Sequence, residues 1–169
     1  MEALWGFIGT VIGATTSIIA TKINTKNMNK LQQNIELAKK QERHNEFQCE
    51  NLKKIQEELI YNVRLIFEVH LSDTNYYTEN PSVNNRPFVK EPLNTKLRKS
   101  MQQLSILNER IGNDELRIKI DNYRKLLFEI VRASSKSDSE IAITNITNSF
   151  EVLHSDIGTQ IRKSYIKII

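Results

Sequence analysis

Apolar residues recur at steps of three and four along most of this chain, and the places where that pattern changes divide it into elements. Leu52, Ile55, Leu59, Val63 and Ile66 form one stripe and predict an amphipathic helix ending near Leu71. Leu97, Met101, Leu104 and Leu107 or Ile111 form a second, starting near Asn94, with Gly112 suited to its C-cap. A third stripe, Leu116, Ile120, Tyr123, Leu127 and Ile130, starts from Asn113 or Asp114. The run SSKSDSE interrupts it, with Ser137 and Glu140 spaced as a capping box, and a last stripe carries Ile143, Ile146, Phe150, Leu153, Ile157 and Ile161. No alternating strand pattern occurs. The predicted fold is all-α, with an antiparallel four-helix bundle over residues 47–169. Residues 72–91, SDTNYYTENPSVNNRPFVKE, hold two prolines with Pro92 just beyond, so a long loop is expected there and no helix through it.

The pattern before residue 47 is different. Residues 3–21 carry no charge, and as a helix they would span about 28 Å, near the hydrocarbon thickness of a bilayer. A signal peptide would want a basic start and a small-x-small cleavage site, and a core helix would show a polar face. A transmembrane anchor over 1–21 is therefore expected, with its hydroxyls bonding back to helix carbonyls. Glu2 precedes the run and Lys22, Lys26 and Lys30 follow it, which predicts the amino terminus outside and the bulk of the chain in the cytoplasm. Those three lysines line one helix face; a snorkelling stripe beside anionic lipid is preferred to a nucleic-acid contact. Gly6, Gly9, Gly13 and Ser17 offer a small face for helix packing in lipid, which predicts self-association or a partner helix. Residues 22–46 are polar, with Met28, Leu31, Ile35 and Ala38 at heptad-like spacing and with Asn24, Asn27 and Asn29 as weak helix formers. They read as a charged helical stalk with a hinge at its top.

Composition narrows the chemistry. The balance of 24 basic and 20 acidic residues leaves only +4, too little to imply nucleic acid. Heavy use of isoleucine, asparagine and lysine suits an AT-rich bacterial, phage or plasmid gene. Cys49 is the sole cysteine, so no internal disulfide forms, and with His44, His70 and His154 far apart no metal-ligand spacing exists. No phosphate-binding glycine loop, nucleophile elbow or zinc-protease motif appears, so no enzyme, cofactor or catalytic residue is expected. The polar-aromatic group Tyr76, Tyr77, Arg86, Phe88 and Lys90 in the expected loop is either a partner surface or a loop folded back on the bundle.

The stretches WGFIGTVIGATTSIIAT and KLQQNIELAKKQERHNE give the chain a resemblance to a loose class of small bacterial single-pass proteins. These have a glycine-bearing anchor, a charged helix and a cytoplasmic helical domain, and some serve phage-defence cassettes. The resemblance covers about the first 60 residues and implies an inner-membrane sensor or effector. It carries over no functional residue. The expected function is thus a membrane-anchored helical interaction module that forms homo-oligomers and binds an unidentified protein partner. The alternatives are a membrane-perturbing oligomeric effector, or a phage or plasmid accessory protein contacting nucleic acid.

Overall fold

A computed structural model describes residues 2–80 and 89–166, with side chains over 7–80 and 89–165. It contains four α-helices: α1 (Glu2–Glu79), α2 (Leu93–Asn108), α3 (Asp114–Arg132) and α4 (Lys136–Ile166). No strand occurs among the described residues. The chain divides into two compact units, Met1–His44 and Asn45–Ile169. The first is the leading part of α1. The second is a helical bundle built from the rest of α1 and the other three helices.

The bundle forms because four stripes bury each other. Ile55, Leu59 and Ile66 of α1, Leu104 of α2, Ile120, Tyr123, Leu127 and Ile130 of α3, and Ile146 and Ile157 of α4 have no exposed surface and belong to one core. Each such aliphatic side chain contributes about 1.5–3 kcal/mol on leaving water. Every stripe expected from the sequence faces inward, with Val63, Ile143, Phe150 and Ile161 only partly covered. Local chemistry sets the helix ends. The Asn113 side chain accepts from the Leu116 amide and caps α3. Two α1 side chains serve the end of α2: Asn51 donates to the Leu107 carbonyl at 3.0 Å and Gln48 to the Arg110 carbonyl at 3.1 Å. Carbonyls that a helix terminus leaves without an intrahelical partner are satisfied in this way.

Several expectations are corrected here. The expected loop over 72–91 begins as helix: α1 continues to Glu79, burying Asp73 and Tyr77, while residues 81–88 lie outside the described residues. Asn24, Asn27 and Asn29 sit inside continuous helix, so residues 22–46 contain no break at the expected hinge. Gly112 is not a C-cap. α2 ends at Asn108 with Glu109 as its right-handed cap, and the Gly112 amide donates to the Gln48 side chain. The capping box of α4 is Ser135 with Asp138, two residues before the expected pair: Ser135 Oγ accepts from the Asp138 amide, and the Asp138 carboxylate accepts from the Ser134 amide and hydroxyl.

The largest correction concerns the membrane. Among the described residues no helix is long and apolar enough to cross one. The anchor over 1–21, the inner-membrane address and the cytoplasmic orientation are set aside on that finding. Dilution is the physical reason: Gly9, Thr10, Gly13, Thr15, Thr16, Ser17 and Thr21 lower the hydrophobicity of the uncharged run. Residues 3–6, which complete the expected run, lie outside the described side chains.

Candidate interaction surfaces

Every residue from Phe7 to His44 is exposed. At about 100° per residue, Phe7, Ile8, Val11, Ile12, Ile18 and Ile19 fall on one side of α1, and Gly9, Gly13 and Ser17 fall on the other. A Cβ added at Gly9 or Gly13 would meet nothing within 4 Å, so the described chain fills neither position. Gly6 lies outside the described side chains. The hydroxyls seek no distant partner: Thr15 donates to the carbonyls of Val11 and Ile12, Thr16 to Ile12, Thr21 to Ser17 and Thr25 to Thr21. This is the back-bonding expected of hydroxyls on a helix.

Further along the same unit the two sides exchange character. Lys22, Lys26 and Lys30 form a row with Thr25, Asn29 and Gln33 between them, lining a shallow groove. Met28, Leu31, Ile35 and Ala38 occupy the opposite side, centred about 160° away. Met28, Leu31 and Ile35 are 52%, 53% and 44% exposed, levels normally reached by polar side chains.

The bundle unit carries polar clusters that the sequence pattern does not single out. Ser139, fully buried on α4, lies 2.9 Å from His70 Nδ1 and donates to Asp73 Oδ2 at 3.1 Å, both on α1. Because its one proton goes to Asp73, the hydroxyl accepts from His70, whose Nδ1 therefore carries hydrogen. A serine nucleophile needs the reverse order, donating to an imidazole that acts as base. In this order the cluster is a tie between α1 and α4. At another point Lys119 bridges Glu115 at 2.8 Å and Asp156 at 2.9 Å, and those carboxylates raise the lysine well above its ordinary range. Lys53 donates to Tyr165 Oη at 2.9 Å and lies 5.6 Å from the ring centre; this hydrogen bond raises its pKa. Asn45, Glu46, Cys49 and Glu50 line the groove beside it, with Cys49 itself buried. Among the described residues no group of three histidine, cysteine or acidic side chains could hold a metal ion.

Three of the five residues of the expected loop group, Tyr76, Tyr77 and Lys90, are described. Tyr76 is half-buried and Tyr77 is 7% exposed, both on the last turns of α1 with their rings edge to face at 5.5 Å. Lys90 is exposed, and its carbonyl accepts from the Asn94 amide at the start of α2. Arg86 and Phe88 lie outside the described residues. Tyr77 is packed structure. No protein-family model, curated protein or solved structure matches this chain.

Proposed function

We propose that this protein is a helical interaction module, in which the bundle unit is a rigid base and residues 7–44 of α1 form a docking helix. The observation that carries this reading is the row of uncovered apolar side chains on α1, Met28, Leu31 and Ile35 above all. Contiguous exposed apolar surface on a helix commonly marks a site where another chain binds. The base we read as an antiparallel four-helix bundle. Lys53 with Tyr165, Gln56 with His154 and His70 with Ser139 match rising positions on α1 to falling positions on α4.

Photocrosslinking tests it. A benzophenone side chain placed at Leu31 or Ile35 of the full chain, and irradiated in its own cells, should give a discrete protein adduct. The same probe at Lys26, on the opposite side, should give much less. Absence of any protein adduct from Leu31 and Ile35 would overturn the docking helix.

A further inference from the structure

Met28, Leu31, Ile35 and Ala38 follow one another by steps of three, four and three, the alternation of a coiled-coil seam. Continued backwards at the same alternation, the seam takes in Asn24, Thr21, Ser17 and Ala14. Continued forwards, it meets its first charge at Glu42, close to the end of the unit at His44. From this placement we infer that residues 14–42 of α1 pair with the same residues of a second copy of this chain, as a parallel, in-register, two-stranded coiled coil. The inference names the occupant of the docking helix and rests on that reading.

Charge placement identifies the occupant. The residues flanking the seam are Ile18, Ala20, Thr25, Asn27, Gln32, Asn34, Lys39 and Gln41, and only Lys39 is charged. In a parallel pair each flank faces the other copy's opposite flank one heptad earlier, so Lys39 meets Asn34 and Gln32 meets Asn27. No like-charged pair forms across the flanks. Lys22, Lys26, Lys30, Glu36 and Lys40 all fall on outer positions, where two copies keep them in water. Glu42 would face Glu42, and that repulsion ends the pairing where the apolar seam ends.

Two further features select this partner. Over residues 25–41 the apolar face is narrow: the seam is bordered there by Thr25, Lys39 and amides, with no apolar flank. A helix lying on a lipid surface needs a wider one. Asn24 is the one amide in the seam, and its own copy across the axis can return both donor and acceptor. A single polar core residue of this kind fixes register at some cost in stability. A β-branched Ile35 alternating with Leu31 is the arrangement that favours two parallel strands.

The test uses the purified full chain. Sedimentation across a concentration series should show a species of twice the 19.7 kDa chain mass. Ile35→Lys, which sets two ammonium groups face to face, should weaken association tenfold or more. Leu37→Lys should change nothing, because Leu37 is 66% exposed yet lies on an outer position. Asn24→Cys should oxidise to a covalent dimer under conditions that leave the parent, with its buried Cys49, uncrosslinked. Leu31→Gln serves where Ile35→Lys lowers the circular dichroism of the helix. A parent that stays monomeric at every concentration overturns the inference. So does equal weakening by Ile35→Lys and Leu37→Lys, the mark of indiscriminate apolar or lipid contact. So does a stable dimer whose Asn24→Cys variant fails to crosslink. The two readings separate cleanly: a photocrosslink to a different protein with a monomeric purified chain leaves the docking helix standing and removes only the self-pairing. No crosslink at all removes both.

Discussion

Single side chains in the bundle report where polarity was placed against the apolar pattern. Tyr123 has no exposed surface, and its hydroxyl finds no hydrogen-bond partner in the described chain. Burial alone raises its pKa well above the ordinary 10. An unpaired buried hydroxyl destabilises, so Tyr123→Phe should raise the free energy of unfolding by about 1 kcal/mol in urea titration. The pH dependence has a definite sign. The folded state holds Tyr123 neutral while the unfolded state ionises near pH 10, so its contribution is complete below that pH and falls as pH rises above it. Parent stability should therefore decline more steeply in alkali than that of Tyr123→Phe, and parallel curves would contradict the assignment. Ser139 is the opposite case, a buried hydroxyl that is fully used. Ser139→Ala should cost about 1–3 kcal/mol by withdrawing the hydrogen bond to buried Asp73. An unchanged melting curve would show that the link between α1 and α4 contributes nothing.

At the level of elements, the four amphipathic stripes were readable because burial repeats with the helical period, and Leu97, Ile120, Leu127 and Ile146 needed nothing beyond spacing to be placed inside. The end of α1 was misread for a physical reason. Its stripe does continue past Ile66, through His70, Asp73 and Tyr77 at steps of four, three and four, but polar members disguise it. Two of those members, His70 and Asp73, are hydrogen-bonded to Ser139, from a helix distant in sequence. Turn-forming composition and downstream prolines then outweighed the weakened stripe. The cap of α4 was misplaced similarly: SSKSDSE holds two overlapping capping patterns, and hydrogen bonding selects Ser135 with Asp138. Those bonds from Ser134 and Ser135 also hold the Asp138 carboxyl below its ordinary pKa. Its support for the helix start is thus present above about pH 4 and lost as pH falls through the lowered value. Tyr77 gives the direct test of the longer α1. Tyr77→Ala should cost about 3–5 kcal/mol in chemical denaturation, the range for emptying an aromatic site in a core. A loop residue at that position would cost a small fraction of this.

For the whole molecule, burial is distributed in one direction: among the described residues the first buried one is Cys49, and every core position lies in the second unit. The apolar run over 3–21 was legible as a run, but its depth of burial was not, because hydrophobicity gives no account of what covers a helix. The same division makes stability and association separable. Removing residues 1–44 should leave residues 45–169 folded, since every core side chain and every tie between helices described above survives the cut. Melting of that fragment by circular dichroism should be cooperative and independent of protein concentration. The full chain should differ in one respect. Self-pairing binds the folded state and not the unfolded one, so by mass action the helical signal of residues 7–44 gains stability with concentration. A dilution series should therefore move that part of the melt downward while the bundle transition stays where the fragment places it. Loss of folding on truncation would mean that residues 1–44 belong to the core. A full chain whose melt never responds to dilution would mean that its exposed seam is left uncovered by any second copy.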